Sequence, residues 1–225
     1  MEENHWNLKI HSTGEILGII GPNGAGKTTF LNCISGFYKP TEGKIFFMGE
    51  DITGVPSYEL CKKGIARTFQ IVRTFPKMTA LENVKTAIIY GGADHHGVDI
   101  EKRAHELLDE VGFAAAHDTI AESLNIMQMK RLMLARAIAT KCKLLLLDEV
   151  AAGLTTAELP DFIALVKHIR DSGVTVMCIE HVMKFITGVC DRVIVISFGE
   201  KIAEGTPIEV LNNPTVIESY LGKED

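Results

Sequence analysis

The sequence is poor in cysteine, and what it has follows no pattern. Cys33, Cys61, Cys142, Cys178 and Cys190 are scattered and form no C-x-x-C pair. That argues against a disulfide framework and for free thiols in a reducing compartment, so the expected location is the cytoplasm. Long apolar runs are also missing. No stretch without Asp, Glu, Lys or Arg exceeds about a dozen residues, against the roughly 20 that a membrane helix needs. The opening Met1 to Trp6 is acidic and has no apolar core, so it does not read as a signal peptide. There is no basic excess either: 23 Lys and Arg face 29 Asp and Glu, a net charge of −6. No nucleic-acid partner is expected from such a balance. Any membrane association has to come through another protein.

What remains is an ordinary globular composition, 46% hydrophobic and 23% charged over 225 residues. A chain of this length buries about 70% of its unfolded surface and needs neither disulfide nor metal to fold. Apolar runs at Gly14 to Ile20, Lys143 to Leu147, Gly173 to Glu180 and Asp191 to Ser197 read as strands. Further strands are expected at Thr41 to Met48 and Arg67 to Gln70. Helices are expected at Lys27 to Ser35, Ser57 to Ala66, Ala157 to Asp171, Val182 to Val189 and the C-terminus. Apolar strands alternating with helices predict a parallel sheet covered on both faces. Between them, Leu81 to Tyr90, Glu101 to Val111 and Met127 to Thr140 have helical spacing without a strand. The expected organisation is one α/β domain over 1–225, with a core at about 1–71 and 141–225 and a helical insert at about 72–140.

Gly21, Pro22, Asn23, Gly24, Ala25, Gly26, Lys27 and Thr28 fit G-x-x-x-x-G-K-[ST] in full, between a strand and a helix. The glycines let consecutive N–H groups face a phosphate, and the following helix adds its positive dipole end. Lys27 supplies a point charge for the β- and γ-phosphates of a nucleotide, and the Thr28 hydroxyl a hard oxygen for Mg²⁺. Leu144 to Leu147 followed by Asp148 and Glu149 predicts an interior strand with two carboxylates at its ligand-facing end. Asp148 can reach the same Mg²⁺, and Glu149 can take a proton from attacking water. Gln70 and His181 end predicted strands and can sense phosphate, metal or water. Asp51 to Gly54 matches D-x-x-G, but no N-K-x-D guanine reader accompanies it. Asp94, His95 and His96 lie in a glycine-bracketed loop with no further ligand, and read as solvated. The methionines of 127–133 read as core packing.

In this order and spacing, the loop at 21–28, Gln70, the helical insert, Leu134 to Ala139, Asp148-Glu149 and His181 resemble an ATP-binding cassette (ABC) ATPase over nearly the whole chain. Arg67 to Val72, Thr79 to Val84, Asp148 to Leu154, Glu180 to Met183 and Gly199 to Pro207 are similar to the ATPases of branched-chain amino acid importers in particular. The resemblance implies a P-loop NTPase fold with a mostly parallel sheet, a helical subdomain and, here, a shortened N-terminal antiparallel subdomain. It implies ATP phosphates held by Gly21 through Thr29, with Thr28, Gln70 and Asp148 serving Mg²⁺. Glu149 would be the general base, His181 would touch the γ-phosphate, and Lys27 would complete the catalytic set. It implies integral membrane permease subunits docked on the helical insert, a second ABC ATPase subunit across a dimer interface near Ala152 to Thr155, and, indirectly, an extracytoplasmic solute-binding protein. The chain would then be peripheral on the inner face of the plasma membrane.

Three departures accompany the resemblance. Trp6 is the one candidate for the aromatic that stacks on adenine, and it lies close to the loop. The Leu-Ser-Gly-Gly-Gln signature, which completes the opposite subunit's site, is here Leu124, Asn125, Ile126, Met127 and Gln128. Side chains at 126 and 127 stand where glycines let backbone approach. Pro160 falls early in a helix, where it costs little only in the first turn. Alternative readings are an ABC protein with weak or no hydrolysis, and a soluble ABC ATPase outside transport.

Overall fold

A computed structural model describes residues 14–69, 74–92 and 97–221. Trp6, Gln70 and the segment Asp94, His95 and His96 lie outside the described residues. The elements run β1 (Ile16–Ile20), α1 (Lys27–Ile34), β2 (Phe46–Phe47), β3 (Glu50–Asp51), α2 (Ser57–Lys63) and β4 (Ile65–Arg67). Three helices follow without a named strand between them: α3 (Ala80–Tyr90), α4 (Ile100–Glu110) and α5 (Ile126–Ala139). The chain then alternates through β5 (Leu144–Asp148), α6 (Leu159–Asp171), β6 (Thr175–Ile179), α7 (Met183–Val189), β7 (Arg192–Ser197) and β8 (Glu200–Gly205). It closes with α8 (Pro207–Leu211) and α9 (Pro214–Leu221).

The main sheet has the order β4-β5-β6-β1-β7-β8. Its pairs are parallel up to β7, and β8 returns antiparallel as a hairpin. Every residue of β1, β5 and β6 is buried, because helices cover both faces. Alternation divides the strand residues between two cores. Leu17, Ile19, Leu144, Leu146 and Ile194 pack with Leu31 of α1 and Leu60 of α2. Ile16, Ile20, Leu145, Leu147 and Val193 pack with Leu132 of α5, Phe162 of α6 and Phe185 of α7. Fully burying one such side chain contributes roughly 1.5–3 kcal/mol.

Local chemistry sets the element ends. The helix expected to reach Ala66 stops at Lys63, because Gly64 turns left-handed at φ 99°. That releases Ile65 to Arg67 into a strand, earlier than the expected start at Arg67. The strand expected over Thr41 to Met48 shrinks to Phe46–Phe47, since the run before it is a bend with Gly43 at φ 81°. Pro160 occupies the first turn of α6, where its missing N–H costs no helical hydrogen bond. Asp51 accepts from the Thr53 N–H at 3.0 Å, which makes it a turn residue. Met133 is buried, and Met127 and Met129 pack against the same core.

Candidate functional site

The parallel order places the carboxyl ends of β1, β5 and β6 side by side, and the candidate residues follow directly after them. After β1, Gly21 adopts φ 153°, and a Cβ there would stand 2.0 Å from the Ile196 carbonyl of β7. Only glycine fits this approach. Gly26 at φ 97° is the N-cap of α1 and offers no side-chain cap. The first N–H groups of α1 therefore lack an internal side-chain acceptor, as an anion site requires. A Cβ at Gly24 would meet nothing within 4 Å. Lys27 is buried, and its Nζ donates to Gly21 O at 2.7 Å and Pro22 O at 2.9 Å, closing the loop on itself. Burial lowers the Lys27 pKa, and the nearby Glu149 carboxylate opposes that shift. Asn23, Thr28 and Thr29 are exposed, and Pro22 and Ala25 complete the turn through the Ala25 N–H to Pro22 O bond.

Asp148 ends β5, and Glu149 is the first residue beyond it. Glu149 takes φ 50°, a conformation rare for a residue with a side chain. Its N–H donates to Ile179 O at 2.9 Å, which pins the strained turn to β6. The turn brings Glu149 Oε1 within 3.2 Å of His181 Nε2. Lys27, Glu149 and His181, predicted from three separate segments, thus converge beyond the carboxyl ends of adjacent interior strands. The oxygens of Thr28 and Asp148 are hard donors of the kind Mg²⁺ prefers. Asn125, Ile126, Met127 and Gln128 instead start α5. Asn125 Oδ1 accepts from Gln128 N at 2.9 Å, while Gln128 Oε1 accepts from Asn125 N at 3.0 Å.

Sequence patterning missed Arg67. Its guanidinium donates to Asp148 Oδ2 at 2.9 Å and, through the other nitrogen, to Asn32 Oδ1 and Ser35 Oγ, both at 2.7 Å. The rings of Phe37 and Phe69 flank it, at 5.5 and 5.1 Å from the centroids. Both partners of this ion pair are buried. Lys130 and Glu180 were missed as well. Burial pushes the Glu180 carboxyl up to about 7 and lowers Lys130. The available signal was a charge inside an otherwise apolar segment. Two cysteines scattered in sequence also meet: Cys178 and Cys190 sulfurs lie 3.6 Å apart, both as free thiols.

A phosphate-type loop after β1, with an acid pair ending the neighbouring-but-one strand, defines a P-loop nucleotide-binding ATPase. The chain belongs to the ABC transporter family, whose model matches residues 4–152. A second model, described as branched-chain amino acid ATP-binding cassette transporter, matches residues 200–225. The chain is 39% identical to the high-affinity branched-chain amino acid transport ATP-binding protein BraF of Pseudomonas aeruginosa, over 98% of this chain and 91% of that one. It is also similar to a nucleotide-free ATP-binding cassette from an ABC transporter: TM-score 0.83, 33% identity, 93% of this chain and 89% of that one. A dimeric cassette in a post-hydrolysis state, bound to ADP and Pi, matches with TM-score 0.77 and 29% identity, over 90% and 88%.

Proposed function

We propose that this chain is the ATP-hydrolysing subunit of an ABC importer that moves branched-chain or related amino acids. The observation that carries the reading is the convergence of Lys27, Glu149 and His181 beside an uncapped helix N-terminus. The transported class rests on the similarity to BraF and on the C-terminal family match.

In this reading the backbone N–H groups of Gly21 through Thr29 hold the phosphates of ATP. Lys27 exchanges its two loop carbonyls for phosphate oxygens. Thr28, Gln70 and Asp148 serve Mg²⁺ and its waters, with Asp148 giving up Arg67 as it does so. When bound, the ion neutralises phosphate charge and orients the transferred group. Glu149 accepts a proton from the attacking water. His181 holds the Glu149 carboxylate from one side and is within reach of the γ-phosphate on the other. Two such subunits close around two nucleotides, a reading supported by the likeness to a dimeric cassette bound to ADP and Pi, and Asn125 to Gln128 face the opposite chain's site. Binding favours closure because the second chain adds contacts only in the closed state.

The reading makes 1–225 one cassette, with a core at about 1–71 and 141–225 and a helical part at about 72–140. Among the described residues no helix is long and apolar enough to cross a membrane. Permease subunits therefore supply the membrane span and hold the chain at the inner face of the plasma membrane. An extracytoplasmic solute-binding protein delivers the amino acid. A cavity of about 440 Å³ opens among Phe37, Tyr58, Cys61, Phe69, Met133 and Arg136. It lies between β4 and α5, and in this reading it receives a permease segment. Exposed Phe75 and Met78 add apolar surface, with Arg136 stacked 5.1 Å from the Phe75 ring. The test is ATP hydrolysis by the purified chain with and without its permease, alongside amino-acid uptake in vesicles. Hydrolysis that permease does not alter, or uptake that proceeds without this chain, contradicts the reading.

A further inference from the structure

Two buried charges outside the reacting set grip one loop. Lys130 lies on α5 and is 4% exposed, and its Nζ donates to Val150 O at 2.5 Å. Glu180 is 1% exposed, and its Oε1 accepts from Ala151 N at 2.6 Å. His181 follows Glu180 directly in the chain. Val150 and Ala151 follow Glu149 directly. Beyond them the loop turns on itself, Ala152 N to Glu149 O at 3.3 Å and Leu154 N to Ala151 O at 3.2 Å. Ile126, in the first turn of α5, lies near the loop: a side chain added at Gly153 would place its Cβ 3.9 Å from Ile126 Cδ1. The helix that begins at Asn125 and the loop that leaves Glu149 are thus joined by the Lys130 hydrogen bond, with Ile126 near the same loop. Glu180 extends the joint to His181.

Burying a lysine and a carboxylate costs desolvation, and apolar packing of the same volume is often as stable. A buried charge does give one thing apolar packing does not: a fixed hydrogen-bond geometry at named backbone atoms. Here those atoms are Val150 O and Ala151 N, which directly follow the general base, while Glu180 itself directly precedes the histidine.

We infer that Lys130 and Glu180 are positioning residues that lock the 125–128 segment, the 150–154 loop and the Glu149–His181 pair into one moving unit. The inference rests on the site reading above. In that reading 125–128 serves the nucleotide of the opposite chain, whereas Glu149 and His181 serve this chain's own. The unit therefore couples the two sites of the dimer. Docking of 125–128 on the far nucleotide and alignment of Glu149 on the near one occur together.

The test is the ATP dependence of hydrolysis in the assembled transporter, with nucleotide affinity of the isolated chain measured beside it. Wild type is expected to be cooperative, with a Hill coefficient rising toward two, the number of sites. Lys130→Met and Glu180→Ala are expected to lower kcat on the order of 10²-fold, as small misplacements of reacting groups do. They should bring the Hill coefficient to one and leave ATP affinity within about twofold. Lys130→Arg restores the donor and should recover cooperativity. If Lys130→Met does not fold, Lys130→Gln, which is uncharged and one bond shorter than the lysine that reaches Val150 O, takes its place with the same expected loss of cooperativity. Loss of kcat with cooperativity unchanged, loss of affinity in parallel with kcat, or variants equal to wild type overturn the inference. Absence of ATP binding by wild type, with Lys27→Ala no different, overturns the site reading itself.

Discussion

The chain presents two helix N-termini to phosphate in this reading, and it prepares them differently. At α1 the N-cap is Gly26, with no side-chain cap, in a loop whose glycines keep the approach open. At α5 the N-cap is Asn125, and a reciprocal pair with Gln128 satisfies the N–H groups of both residues internally. Ile126 is 52% exposed there, so the face turned outward is apolar as well as self-satisfied. The first end is built to receive charge, because its free N–H groups and dipole have nothing else to bind. The second is stable alone, since a capping box is worth on the order of 1 kcal/mol, and that stability opposes binding. In the proposed reading, the difference implies that the chain's own nucleotide is held well, while its contribution to a partner's nucleotide is weak.

The largest expected effect tests the strong end. Glu149→Gln removes the general base and should lower hydrolysis 10²- to 10⁴-fold while ATP binding persists. Retained turnover in a stopped-flow phosphate assay would exclude Glu149 from that role. Next is Lys27→Ala, which removes a charge-assisted contact worth ~1.5–3 kcal/mol of ATP affinity. Calorimetry with Mg²⁺ reads the loss, and an unchanged affinity would contradict the loop's assignment. If the chain pairs with an ATPase bearing a full signature, the comparison sharpens. The site holding Lys27 and Glu149 should then be the fast one. Glu149→Gln should abolish most activity, and the partner's equivalent change much less. Equal losses would mean the two ends are equivalent.

A smaller effect concerns Glu180, whose carboxyl is pushed up to about 7 from an ordinary 4.5. Between those values the folded chain keeps a proton that the unfolded chain has released. Stability from this group is therefore full below the unfolded value and is lost as pH rises through the folded one. The loss is roughly 3 kcal/mol by pH above 7. Glu180→Gln should flatten this slope in urea melts near pH 5 and pH 8. Identical slopes would place the proton elsewhere. Charged substitution at Phe75 or Met78 should reduce uptake and spare basal hydrolysis, and equal loss of both would make these residues core.

Much of this was legible from residue order alone. The loop at 21–28 declares itself because glycine, lysine and threonine occur together for one reason, the phosphate. The helices α3 to α5 showed in the 3.6 period, and β1, β5, β6 and β7 in their apolar runs. What stayed hidden depends on pairing across the fold. Arg67 reads as the first residue of a strand until β4 lies beside β5 and brings it to Asp148. Lys130 and Glu180 are 50 residues apart in number yet meet on one loop, and no local pattern joins them. The extent of β2 was misjudged because a bend before Phe46 outweighs strand propensity.

The contrast between the two helix ends is tested most directly by rebuilding the weak one. Asn125→Ser, Ile126→Gly and Met127→Gly together keep a hydroxyl cap opposite Gln128 and remove the side chains that keep backbone away. Steady-state ATP hydrolysis by the assembled transporter should rise, on the order of tenfold or more, as a γ-phosphate donor is regained. Two glycines in the first turn of α5 cost about 1 kcal/mol each at most, which a melt can register separately. Turnover equal to wild type, in a folded triple variant, would show that the second end is already competent and would contradict the account.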